Sequence, residues 1–222
     1  MTAAVFLDAL GTLVELQPPA PRLRARVAEA GFEVSEERAA AGIAAEIGYY
    51  LAHHLDGADR ASLDALRDRC AAVMMEALAL DGLDHATARR AMLAALEFRP
   101  YDDVVPALTA LRRAGHQLVI VSNWDCSLPE WLGPAGVIGL VDGVVTSADV
   151  GAAKPDARVF RRALELAGVR PEQGVHVGDS LDNDVAGARA VGLRAVLVHR
   201  AGEPPPDVEW IRSLDELPAL LG

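Results

Sequence analysis

Three acids fall within six residues, Asp179, Asp182 and Asp184, in a run that opens Gly178-Asp179-Ser180 and contains Asn183. At that density like charges repel unless solvent or a cation screens them. A few hard oxygen ligands of this kind suit Mg2+ that keeps several of its waters. Asp182 and Asp184 also fit a plainer reading as acids at a helix N-terminus, where the macrodipole favours them. A further acid, Asp8, closes the apolar stretch Val5-Phe6-Leu7 and precedes Gly11 and Thr12, where a turn-forming aspartate is the plain alternative. Ser122-Asn123 closes a second apolar stretch, and Lys154 stands in a loop before a helical pattern. Together these loops offer carboxylates, a hydroxyl and a cation.

What must position them is a β/α alternation. Short apolar runs rich in Val, Ile and Leu occur at Ala3–Leu7, Gln117–Val121, Gly143–Thr146, Gly174–Val177 and Arg194–Val198. They lack a clean polar alternation, which predicts strands buried on both faces, as in a parallel sheet. Between them, Val104–Leu111, Ala157–Ala167 (opened by Pro155 and Asp156) and Asp182–Val191 carry helical spacing, the last ending at Gly192. The expected fold is α/β, a Rossmann-like, doubly wound parallel sheet. Ligands of such sheets gather at the carboxyl ends of the strands, where Asp8, Ser122 and Asp179 fall. His176 reads as core, and Trp210 with Leu214–Leu221 as a closing helix.

Residues 17–98 have a different texture, with no convincing strand and four helical stretches near Pro21–Ala30, Ser35–His54, Asp59–Ala79 and Asp84–Phe98. Ser35 and Asp59 look like helix starts without a complete capping box. This predicts an inserted all-helical domain, with 1–16 and 99–222 forming the α/β core. The Pro-rich entry Gln17–Pro21 and the exit at Arg99-Pro100 read as hinges.

Bulk properties narrow the function. A net charge of -11 argues against nucleic acid and anionic membrane as partners. No apolar run is long enough for a membrane span, and no basic segment precedes the first apolar stretch, which reads as a strand and not as a signal peptide. The two cysteines, Cys70 and Cys126, read as reduced thiols of a cytoplasmic protein.

Four segments together resemble a known family. Phe6-Leu-Asp8-Ala-Leu-Gly11-Thr12 is similar to the first motif of the haloacid dehalogenase superfamily, Val119–Asn123 to the second, Lys154-Pro155-Asp156 to the third, and Gly178-Asp179-Ser180 through Asp184 to the fourth. The helical insert resembles a C1-type cap. Ser122-Asn-Trp124-Asp125 and Lys154–Phe160 look most like the rhythmically-expressed-gene-2-like branch of phosphatase homologues. The resemblance implies an aspartyl-phosphate on Asp8 and Mg2+ held by Asp8, the Leu10 backbone carbonyl and Asp179. Ser122, Asn123 and Lys154 would bind the phosphoryl group, with Thr12 holding the loop or contacting phosphate. Asp184 and Asn183 would support the metal or Lys154 from behind. The substrate would be a small phosphorylated metabolite and the protein a monomer or homodimer. Of 21 basic residues only Lys154 is lysine, and a compact ammonium is not replaceable by a planar guanidinium in a tight site.

Leu10 departs from the pattern. Family phosphatases usually carry an aspartate there, which protonates the leaving group and then activates water. Leucine does neither, and general acid–base help is typically worth ~10² to 10⁴ in rate. Glu15, Tyr49, Tyr50, His53 and His54 are candidate substitutes. Two other readings stay open. A 2-haloacid dehalogenase would need no Mg2+ but an arginine for the carboxylate, for which Arg22, Arg24 and Arg38 are candidates. A catalytically quiet phosphate-binding protein would need only the binding groups.

Overall fold

The computed structural model describes residues 2–222; Met1, part of the expected 1–16 core segment, lies outside the described residues. The chain forms two compact units, Met1–Glu15 with Arg99–Gly222, and Leu16–Phe98. In chain order the strands are β1 (Ala4–Leu7), β2 (Val14–Leu16), β3 (Phe98–Pro100), β4 (Gln117–Ser122), β5 (Gly143–Thr146), β6 (Gly174–Gly178), β7 (Arg194–Val198) and β8 (Trp210–Ile211). The helices are α1 (Pro19–Glu29), α2 (Glu36–His53), α3 (Arg60–Leu78), α4 (His85–Ala95), α5 (Val104–Arg113), α6 (Leu128–Leu132), α7 (Ser147–Val150), α8 (Ala157–Ala167), α9 (Gly187–Ala190) and α10 (Leu217–Leu221).

Among the described residues the main sheet has six strands in the order β5-β4-β1-β6-β7-β8, parallel throughout. Every residue of β1 is buried, as expected for a central strand covered on both faces. Side chains alternate along a strand, so Ala4 and Phe6 share one face with Val119, Val121, Val159, Phe160, Val185 and Leu197. Val5 and Leu7 face the other way, toward the side on which α5 buries Val104, Leu108 and Leu111. The register pairs Leu7 with both Ile120 and Val177. Asp8, Ser122 and Asp179 therefore emerge at one edge, either side of the strand where the winding reverses.

Four expectations about elements are corrected. The helix expected at Asp182–Val191 is a π-helix over Leu181–Ala186 followed by the short α9, because Ser180 caps it and Asp184 turns back toward the sheet. Trp210 belongs to β8 and not to the closing helix, pairing with Leu197. Asp59 does make a complete capping box, with Ser62 at its third position in place of the usual Glu or Gln. The fourth bundle helix stops at Ala95, and Phe98 begins β3, which pairs with β2. Pro100 disfavours helical backbone in the residue before it, and the Glu97 carbonyl accepts from the Gln17 N–H at 2.8 Å.

The helical unit packs α1–α4 around Leu23, Val27, Ile43, Leu66, Cys70, Met74, Leu78, Ala88 and Met92. Its apolar core encloses one acid, Glu46 on α2, 4% exposed. Burial raises its carboxyl to about 7, opposed by a hydrogen bond with Cys70. A folded-state value above the ordinary 4.5 means the folded chain holds a proton that the unfolded chain releases. Stability is therefore lost as pH rises from about 4.5 to about 7. Glu46→Gln is expected to remove that slope and raise stability at pH 8 by up to roughly 3 kcal/mol. Urea denaturation at pH 5 and pH 8 checks this, and equal pH slopes in wild type and variant would refute it.

Candidate functional site

Asp8 is buried directly after β1, and among the described residues its side chain accepts two hydrogen bonds, both on Oδ1, from Ser122 Oγ at 3.1 Å and Lys154 Nζ at 2.6 Å. Lys154 reaches it from the loop between α7 and α8. The Asn123 side chain fixes that loop: its Oδ1 accepts from the Lys154 backbone N–H at 2.7 Å, and its Nδ2 donates to the Lys154 carbonyl at 3.1 Å. These bonds take Oδ1 and one of the two Nδ2–H donors of Asn123.

Lys154 Nζ also donates to Asp184 Oδ1 at 2.6 Å. That oxygen accepts a second bond from His176 Nε2 at 2.8 Å, while Oδ2 accepts the Ser180 N–H at 3.0 Å. The π-helix makes this convergence possible by turning Asp184 back over the end of β6. Two glycines leave the room. A Cβ on Gly178 would sit 2.2 Å from Asp184 Cγ, and one on Gly11 would sit 2.1 Å from Asp179 Oδ2. Gly11 also adopts φ +85°, which L side chains resist.

The electrostatics are those of three acids sharing one lysine. Burial raises the Asp8 carboxyl, opposed by Lys154 and reinforced by Asp184. Burial would also raise Asp184, but Lys154 and His176 outweigh it and hold that carboxyl well below the usual range. Asp179 stands at the exposed rim, where partial loss of water and the charges of Asp8 and Asp184 push it up to about 6. Burial alone would lower the Lys154 ammonium; Asp8 and Asp184 raise it instead.

Asp8, Asp179 and Asp184 each offer a carboxylate oxygen within 4.8 Å of the others, close enough to converge on one ion. Asp184 is already occupied by Lys154, His176 and Ser180, which leaves Asp8 and Asp179 as the carboxylates with capacity for it. A hard oxygen set with few protein ligands fits Mg2+.

The remaining expected site residues differ in their surroundings. Leu10 lies in the loop after Asp8 with its side chain 42% exposed. Thr12 is fully buried and its hydroxyl has no partner among the described residues. Asn183 enters through its backbone N–H, donated to Ser180 Oγ at 3.1 Å. In the helical unit His53 stacks on Tyr49 and bonds its carbonyl at 2.8 Å, Tyr49 Oη accepts from Arg69, and His54 is buried against the Leu51 carbonyl. Arg22 pairs with Glu97, Arg24 bonds the Val34 carbonyl, and Arg38 caps α3 at the Leu78 and Ala79 carbonyls.

Sequence reasoning missed two groups. Arg200 forks onto Asp103 at 2.8 and 3.2 Å, donates to the Thr12 carbonyl at 2.8 Å and lies 3.7 Å over the Tyr101 ring. It thereby ties the loop after Asp8 to the start of α5. Asp103 also accepts from Ser213 Oγ and the Leu214 N–H. No local pattern announces that tie. His176 was legible only as a polar residue inside an apolar strand.

The model of the haloacid dehalogenase-like hydrolases matches residues 2–192. The chain is 38% identical over 124 residues to haloacid dehalogenase-like hydrolase domain-containing protein 3 of Xenopus laevis, covering 52% of this chain and 50% of that protein. It is 36% identical over 104 residues to a glyceraldehyde 3-phosphate phosphatase of Methanopyrus kandleri, covering 46% of this chain and 44% of that one. The matches thus span about half the length of these relatives. Among solved structures, a phosphatase of Thermococcus onnurineus aligns with 100% of this chain and 98% of its own at TM-score 0.68 and 28% identity. Fold, motif order and family model agree, and the chain is a member of the haloacid dehalogenase-like hydrolases.

Proposed function

We propose that this hydrolase is a Mg2+-dependent phosphatase of a small phosphorylated metabolite, acting through an aspartyl-phosphate on Asp8. The observation that carries the reading is the cluster of Asp8, Asp179 and Asp184 around a single lysine. A haloacid dehalogenase needs an aspartate and an arginine but no divalent cation, so it gives Asp179 nothing to do. Arg22, Arg24 and Arg38 are also engaged with their own helical unit. The phosphatases of Methanopyrus kandleri and Thermococcus onnurineus support the same direction. A quiet binding protein would have no use for a nucleophile kept beside its lysine.

Asp8 and Asp179, with the Leu10 carbonyl, would hold Mg2+. When bound, it offsets phosphate charge so that an anionic nucleophile can approach. Ser122 and Lys154 hold Asp8 Oδ1, leaving Oδ2 to attack phosphorus. The bond from Asp8 to phosphorus forms as the ester P–O bond breaks, and the leaving oxygen takes the electron pair. Lys154 sits where it can neutralise charge on the transferring group, and the Asn123 backbone N–H can bind a phosphoryl oxygen. Water then attacks phosphorus, the Asp8 O–P bond breaks with its electron pair returning to the carboxylate, and the water proton passes through solvent to the departed alkoxide. The helical unit serves as the cap that selects the substrate. Leu10 supplies no proton in the first step and no base in the second, so the enzyme is slow on leaving groups that need a proton.

The test is hydrolysis of p-nitrophenyl phosphate and of an alkyl phosphate, with and without Mg2+, for wild type and Leu10→Asp. Activity should require Mg2+, and Leu10→Asp should gain on alkyl phosphates by ~10² or more. Hydrolysis indifferent to Mg2+, or chloride release from 2-chloropropionate in place of it, would refute the reading.

A further inference from the structure

We propose that His176 is a positioning residue of the phosphoryl-transfer site, its Nε2–H holding Asp184 in the orientation in which Asp184 braces Lys154 against Asp8. This rests on the phosphatase reading above. His176 lies mid-strand in β6 between Val175 and Val177 and is fully buried. It is in register with Phe6 on β1 and Ala195 on β7. Its ring meets Phe160 edge-on, with centroids 5.1 Å apart. Packing alone gives no reason for an imidazole here, since an apolar side chain would fill the same strand position without desolvating two nitrogens. The polar partner that accounts for it is Asp184, reached at 2.8 Å.

The direction of the bond follows from the acceptor. Asp184 already takes Lys154 on the same oxygen and the Ser180 N–H on the other, so it acts as a carboxylate and only accepts. Nε2 therefore carries the proton. Nδ1 has no partner among the described residues. Asp184 Oδ1 thus lies between two donors, one fixed in the sheet and one on a long flexible side chain. Without the fixed donor, only the Ser180 N–H on Oδ2 anchors the carboxylate, Oδ1 can shift with the Lys154 ammonium, and the ammonium is held less firmly at Asp8. Misplacement of about 1 Å at a reacting centre is worth ~10² in rate.

The test compares His176→Met, His176→Asn and His176→Gln. Methionine fills the space without a donor, asparagine carries its amide at the depth of Nδ1, and glutamine carries one at the depth of Nε2. With Mg2+ and p-nitrophenyl phosphate, His176→Met and His176→Asn are expected to lose about 10- to 100-fold in kcat with KM changed little. His176→Gln should recover most of the loss. A packing role gives the opposite order, with methionine best, and that order overturns the proposal. An activity-independent arm covers variants that fail to fold. In 15N-histidine NMR of the wild type, His176 should show a slowly exchanging Nε2–H, and the absence of that proton overturns the proposal. If the wild type lacks phosphatase activity, the functional reading fails by itself and the NMR result alone decides the His176–Asp184 bond.

Discussion

Asp8→Asn is expected to lower kcat/KM for phosphate esters by at least about 10⁴-fold while leaving the fold intact. The amide keeps an oxygen that can accept from Ser122 and Lys154, so the local hydrogen bonds at 3.1 and 2.6 Å need not break. What is lost is the anionic oxygen that forms the covalent bond. Lys154 retains Asp184 as a counter-charge, so the variant should melt within a few degrees of wild type. Acid-quenched mass spectrometry gives a direct check: a phosphate adduct on wild type during turnover, and none on the variant. A variant that still turns over at a tenth of the wild-type rate would mean another group attacks phosphorus, and the Asp8 mechanism would be lost.

The second large effect is at Lys154. The residue is 4% exposed and its ammonium serves two carboxylates at once, with its backbone clamped by Asn123. Lys154→Met leaves Asp8 and Asp184 buried without their shared cation. Breaking a buried pair in this way is worth about 3–5 kcal/mol. Urea unfolding without Mg2+ should register a loss of that size, and Mg2+ should restore more stability to the variant than to wild type. Lys154→Arg keeps the charge but brings a planar fork into a site shaped for a point donor. Its kcat should fall by about 10² to 10³, the scale of losing one preorganised donor at the transition state. Arginine at wild-type kcat would show that charge alone matters there, not geometry.

The sheet and the main site were legible because their signals are local. β1, β4 and β6 are short apolar runs, and the acid, hydroxyl and acid at their tips follow immediately in sequence. What stayed hidden depends on residues far apart or on elements too short to show a period. β8 is two residues long, below any alternation. The tie from Arg200 to Thr12 spans 188 residues, and nothing near either end predicts it. The π-helix after β6 cannot be separated from an α-helix by spacing, since its extra residue is needed by the carboxylate it carries and not by an apolar face. His176 escaped for the same reason: its partner Asp184 comes within reach only after that turn is made.

The strand order has a consequence for how the chain is made. β1 is central, yet its neighbours are β4, which begins at Gln117, and β6, which begins at Gly174. During synthesis β1 therefore precedes both of its partner strands by more than a hundred residues. The helical unit, Leu16–Phe98, is complete well before that and is held by contacts among neighbouring helices, so it can fold while Ala4–Leu7 waits. Pairings this distant in sequence close slowly, and a waiting apolar strand is exposed to association with other chains. The placement that sets Asp8 between Ser122 and Asp179 thus leaves its strand unpaired through a long stretch of synthesis.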